Sequence, residues 1–169
     1  MYAYAVADLL RSLYTGARHI NMEYRIEAPE SVRFIIKRLK DNNYDAYAVG
    51  GCVRDSLMKR IPHDWDICTS ALPEQVMEIF NEHQIIPTGL KHGTVTIVID
   101  KEPFEVTTYR IDGEYEDNRH PKNVVYTKSL HEDLMRRDFT INALAYNPTE
   151  GIIDIVGGIK DIKNKTIRC

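Results

Sequence analysis

The stretch His63-Asp64-Trp65-Asp66-Ile67-Cys68 limits the fold more than any other part of the chain. Side chains alternate across a β-strand, so Asp64 and Asp66 share one face while Trp65 and Ile67 face the other way. A strand is therefore expected over residues 65–69, acidic on one side and apolar on the other. Two carboxylates this close repel unless a cation lies between them or one of them holds a proton. A hard divalent cation with oxygen ligands resolves the conflict, and magnesium is the usual choice beside phosphates. An exposed strand edge with solvated acids is the other reading of the same pattern.

A second motif, Gly50-Gly51-Cys52-Val53-Arg54-Asp55, lies between an expected strand over 47–49 and an expected helix over 53–58. Glycines let the backbone approach a phosphate closely, and a helix start offers free N–H groups and a favourable dipole. Arg54 on the first turn can point at the same anion, and its guanidinium suits phosphate oxygens. A tight turn with a surface Arg–Asp pair fits the same residues. The two motifs are stronger together: a phosphate cradle beside paired metal-binding carboxylates is what phosphoryl or nucleotidyl transfer needs.

Two further segments bear on the site. Glu105 alternates with Phe104 and Val106 on an expected strand over 104–109, and it could complete the acidic shell if that strand neighbours the aspartates. A solvent-facing acid is the alternative. Within residues 132–143, adjacent Arg136 and Arg137, together with Asn142, could bind triphosphate, sugar or base. Asp138 reads equally well as the N-cap of a helix over 138–145. His92 reads as a turn residue.

Elsewhere, Val32, Ile35, Ile36 and Leu39 recur at helical spacing after Pro29 and stop at Asp41-Asn42-Asn43. Pro73 opens a helix running to about Phe80. β-Branched runs mark strands at 85–86, 94–99 and 152–156, with a short helix over 159–163 and a strand beginning at 166–169. Residues 112–121 are polar and marked by Gly and Pro, which gives a mobile loop. The expected class is α+β.

The 169 residues suit one domain, or one domain with a small appendage. We divide them into an N-terminal extension of unclear role, 1–28, and a catalytic domain, 29–169. With 43% hydrophobic and 28% charged residues, the chain can bury a core. Its net charge of −3 is not that of a self-sufficient nucleic-acid binder. Cys52, Cys68 and Cys169 are widely spaced and form no CxxC pair, which argues against a disulfide framework or a zinc site. No apolar run approaches the ~20 residues of a membrane helix, and the N-terminus lacks a basic signal-peptide region. The expected location is the cytoplasm. The sequence carries no sign of oligomeric state.

Taken in order, GGCVRD, HDWDICTSALPEQV, LKHGTV, FEVTTYRIDGEYEDNRHP and EDLMRRDFTINALAYN resemble the head-domain motifs of class II tRNA nucleotidyltransferases, the CCA-adding enzymes and their bacterial poly(A) polymerase relatives. The resemblance runs from about Ile35 to the end. It implies a DNA polymerase beta-like fold, a small mixed sheet with helices on one side. It implies that Asp64 and Asp66 hold two magnesium ions, and that Gly51, Arg54 and Arg137, with Arg136 beside it, contact the nucleotide. It also implies transfer of nucleotides from CTP and ATP to the 3′ end of tRNA with release of pyrophosphate, and a loop over 112–121 that helps switch from C to A addition. CC-only, A-only and poly(A)-adding relatives share these motifs. The base-selecting neck and the tRNA-gripping body and tail of the family are expected to be missing, so the chain alone is expected to bind nucleotide weakly and catalyse poorly.

Overall fold

The computed structural model describes residues 20–21, 24, 26–111 and 124–169. The loop expected over 112–121 and most of the 1–28 extension lie outside the described residues. The first helix, α1 (Glu30–Asp41), carries Val32, Ile35, Ile36 and Leu39 on its buried stripe, as its spacing requires. It ends where Asn43 adopts a left-handed φ of 66°, a conformation that asparagine tolerates.

Strand β2 (Ala46–Val49) leads through Gly50 into α2 (Gly51–Leu57). Strand β3 (Ile67–Thr69) then leads to α3 (Pro73–Ile79), where Gln75 Oε1 accepts from the Leu72 N–H at 2.8 Å. Next come β4 (Gln84–Ile86), β5 (Thr94–Ile99) and β6 (Glu102–Thr108). The β5–β6 hairpin turns at Asp100 and Lys101, both with positive φ, as a two-residue hairpin of matching twist demands. A small hairpin, β7 (Arg110–Ile111) with β8 (Val125–Tyr126), precedes α4 (Leu130–Met135). The described chain closes with β9 (Leu144–Asn147), β10 (Gly151–Asp154) and α5 (Gly158–Lys163).

Together with β1 (Ile20–Asn21), the strands form a mixed sheet in the order β1-β10-β9-β2-β3-β6-β5-β4. All its pairings are antiparallel except β3 with β6. Alternation along the strands divides the core. Ala46, Ala48, Ile67, Val95, Ile97, Phe104 and Val106 join α1, α2 and α3 in a large apolar cluster. Tyr47, Val49, Cys68, Ala145 and Ile153 face the other way and pack under α4 through Leu130 and Leu134. The principal helices thus share one side, as expected, and α4 adds a small cover over part of the other.

Four expectations are corrected. Residues 138–145 are not a helix: α4 ends at Met135, a single 3-10 turn covers Thr140–Asn142, and Leu144 begins β9. The helix cap in this region is Ser129, whose side chain accepts from the Glu132 N–H, and Asp138 is exposed. The strand expected over 152–156 stops at Asp154, because its carboxylate turns back to accept N–H groups from residues 156 to 159. Residues 166–169 form no strand, although the Arg168 carbonyl accepts from the Thr140 N–H at 3.0 Å. Among the described residues, no helix is long and apolar enough to cross a membrane.

Candidate active site

Asp64 and Asp66 sit in the extended segment immediately before β3, which starts at Ile67 rather than Trp65. The alternation expected for a strand still holds. Trp65 and Ile67 are buried while Asp64 and Asp66 are exposed, and the Asp66 carbonyl accepts from the Val49 N–H at 3.0 Å.

The parallel register pairs Ile67 with Val106 and so sets Glu105 level with Asp66 on the neighbouring strand. Phe104 and Val106 point into the core, so Glu105 is left on the face that carries the aspartates. The electrostatics agree with this placement. Although solvent reaches its side chain, the Asp66 carboxyl is held above the ordinary aspartate range. Withheld water contributes most, Glu105 repels it, Arg137 pulls the other way, and Asp64 adds a further push. The repulsion anticipated between Asp64 and Asp66 is therefore shared by three acids.

Gly50 forms the second wall. Its φ of 80° and ψ of −127° favour glycine. Its N–H donates to the Leu144 carbonyl at 2.9 Å and its carbonyl accepts from the Arg54 N–H at 3.0 Å. A side-chain carbon at Gly50 would lie 3.2 Å from Arg137 Nη1, and one at Gly51 would lie 3.6 Å from Arg54 Nη2. Both arginines therefore rest on the glycine turn. Arg54 is fixed by Asp55 through Nε at 2.9 Å and by Asn142 Oδ1 through Nη1 at 2.6 Å. The expected helix over 138–145 is absent, yet the 3-10 turn that replaces it delivers Asn142 to Arg54.

Arg136 and Arg137 differ. Both Nε and Nη2 of Arg136 donate to Asp133 Oδ1, at 3.1 and 3.0 Å. Arg137 makes one longer bond, from Nη2 to Asp133 Oδ2 at 3.4 Å. The structure thus brings Asp64, Asp66, Glu105, Gly50, Gly51, Arg54, Arg137 and Asn142 into one neighbourhood, with Arg136 tied to Asp133 behind it. Of the carboxylates that orient these arginines, Asp55 pairs with Arg54 as the alternative reading of the glycine motif had it, and Asp133 was missed in the sequence. The spacing of Asp133 to Arg136 and Arg137, three and four residues on along a helix end, was the available signal.

The acids supply hard oxygen donors whose mutual repulsion a divalent cation would relieve, so Asp64 and Asp66 fit such an ion. Among the described residues, no group of three or more His, Cys, Asp or Glu side chains could hold a metal by itself. Magnesium commonly binds through one or two carboxylates, with water and substrate phosphates completing its shell. A hollow of about 700 Å³ beside Ile26, Arg33 and Tyr146 shares no residue with this site. Among the described residues, acids, cations and a bare glycine turn converge on the open acidic face.

The poly A polymerase head domain model matches residues 46–168. The CCA-adding enzyme of Bacillus cytotoxicus is 51% identical over 133 residues, which cover 79% of this chain and 33% of that protein. The crystal structure of the Bacillus stearothermophilus CCA-adding enzyme in complex with CTP matches with a TM-score of 0.74 at 45% identity, covering 85% of this chain and 34% of that one. The Thermotoga maritima CCA-adding enzyme complexed with tRNA matches with a TM-score of 0.66 at 26% identity, covering 85% of this chain and 33% of that one. The chain therefore spans about a third of the length of the relatives it matches. On this match and the fold that carries it, the chain belongs to the poly A polymerase head domain family.

Proposed function

We propose that this chain is the catalytic head of a CCA-adding tRNA nucleotidyltransferase, which transfers nucleotides from CTP and ATP to the 3′ end of tRNA without a template. The observation that carries the reading is the meeting of Asp66, Glu105 and Arg137 beside the Gly50 turn. It puts an acidic, metal-suited edge next to cations held for phosphate. Relatives bearing the name CCA-adding enzyme, and a neighbour solved with CTP, support the choice of substrate.

In the reaction, the RNA 3′-hydroxyl attacks the α-phosphorus of the nucleotide. A new phosphodiester bond forms, the α–β phosphoanhydride bond breaks, and pyrophosphate leaves. Asp64 and Asp66 would hold magnesium, which supplies Lewis-acid stabilisation of charge developing on the phosphoryl oxygens. Glu105 keeps the edge strongly negative and so favours the cation. Gly50 and Gly51 leave room for the triphosphate to approach the backbone. Arg54 and Arg137 present planar N–H donors to its oxygens, and both are oriented in advance by Asp55, Asn142 and Asp133.

The test is incorporation of labelled CTP and ATP into a tRNA lacking its 3′ CCA, with magnesium. It compares the chain alone with a form extended at its C-terminus by the corresponding region of the Bacillus cytotoxicus relative. Asp64→Ala and Asp66→Ala should each abolish incorporation while leaving the melting temperature nearly unchanged. Full activity in either variant would overturn the reading.

A further inference from the structure

Among the described residues, Asp133 is the most deeply buried carboxylate, at 1% exposure. Its Oδ1 accepts from the Arg110 backbone N–H at 3.2 Å as well as from both Arg136 groups, while among the described residues Oδ2 takes only the 3.4 Å bond from Arg137. The two neighbouring guanidiniums are therefore held unequally. Arg136 is held by two charge-assisted donors that converge on one oxygen of a buried anion. Arg137 is tethered at one corner. Its Nη1 rests on the Gly50 turn, its buried Nε–H has no partner among the described residues, and 22% of its side chain remains open to solvent. A buried donor left unmet costs free energy in the resting protein. An arriving oxyanion would meet the solvent-open part of the guanidinium, and a guanidinium already aimed loses little freedom on binding.

We infer that Asp133 is a positioning residue: it commits Arg136 to the scaffold and holds Arg137, the arginine already proposed to meet the nucleotide's phosphates, over Gly50. This deepens the nucleotidyltransferase reading and rests on it. What it adds is the buried carboxylate that holds two adjacent arginines in different ways.

A thermodynamic cycle on CTP binding tests it, with titration calorimetry on the 169-residue chain in the presence of magnesium and no RNA. Asp133→Asn should weaken CTP binding on the order of tenfold, by freeing Arg137 to wander. In an Arg137→Ala background the same change should matter less than about twofold, because contributions through a shared partner are not additive. A merely structural Asp133 would weaken binding equally in both backgrounds, and that result would overturn the inference. Should Asp133→Asn fail to fold, the wild-type chain decides. With Arg Nε–H resonances assigned through Arg136→Lys and Arg137→Lys, inorganic triphosphate should shift the Arg137 signal and leave that of Arg136 in place. Equal shifts would overturn the assignment. If Arg137→Ala binds CTP as the wild type does, the nucleotide reading of this site fails and takes the inference with it, an outcome distinct from equal losses in the two backgrounds.

Discussion

Gly50 shows how much of the site depends on a missing side chain. Any L-residue there would adopt a φ of 80° at a cost of about 1–3 kcal/mol. Its Cβ would also crowd Arg137 Nη1 at 3.2 Å. Gly50→Ala should therefore lower stability by about that amount and also weaken CTP binding. A melting curve and a binding titration on the same preparation separate the two effects. Lost stability with unchanged affinity would show that the Arg137 contact lies outside the nucleotide site. Arg54→Ala should behave in the opposite way. Its partly exposed pair with Asp55 contributes only about 0–1 kcal/mol to folding, yet its loss should weaken CTP binding by roughly tenfold. At this scale the sequence singled out Asp64, Asp66, Gly50 and Arg54, and the fold brings them to one neighbourhood. The sequence was a poor guide to Asp133, because a buried carboxylate and a solvated one look the same until a fold surrounds them.

Helix α5 is short, and a six-residue helix cannot sustain itself by propensity alone. Asp154 stabilises it by accepting N–H groups from Val156, Gly157 and Gly158 on one oxygen and from Ile159 on the other. These are donors that every helix start leaves unmet. The helix in turn braces the 3-10 turn of the site. Thr140 donates its hydroxyl to Asp161 at 2.6 Å, and a carbon added at Gly158 would strike the Thr140 carbonyl oxygen at 2.3 Å. Asp154→Ala should cost about 2 kcal/mol and should speed hydrogen exchange across residues 140–142, where Asn142 holds Arg54. Exchange faster in α5 alone would show that the brace is not transmitted. The same region explains the helix wrongly expected over 138–145. Leu144 to Asn147 are buried on both faces of the sheet, and Ala143 to Tyr146 form a run of apolar residues without alternation. Such a run looks alike in a buried strand and a buried helix, and only pairing with β2 and β10 decides between them.

Across the whole molecule, the parallel pairing of β3 with β6 makes the site, because it sets Glu105 level with Asp66 although 38 residues of chain separate them. Strand periods revealed which side chains share a face, but not which strands lie together, since pairing over that distance is decided by the assembled core. The opposite end of the fold is tied by Glu150. Its carboxylate accepts from Tyr47 Oη of β2 at 2.9 Å, Lys40 Nζ of α1 at 2.9 Å and Asn147 Nδ2 of β9 at 3.0 Å, joining three elements that carry none of the proposed chemistry. Partial burial pushes the Glu150 carboxyl upward. The bonds from Asn147, Lys40 and Tyr47 outweigh that and hold it below the ordinary glutamate range. A depressed folded-state pKa means that the unfolded chain binds the extra proton. The contribution is thus fully present above the unfolded-state pKa and is lost as pH falls through the folded one. Glu150→Gln should therefore cost about 1–2 kcal/mol at neutral pH. The gap should close as the pH drops below the carboxylate range, where the wild-type side chain is itself neutral. Urea unfolding of both proteins across that interval measures the gap directly. A difference that stays constant from neutral pH into acid would mean that Glu150 contributes through packing, and that the charge joining α1, β2 and β9 contributes nothing to the fold.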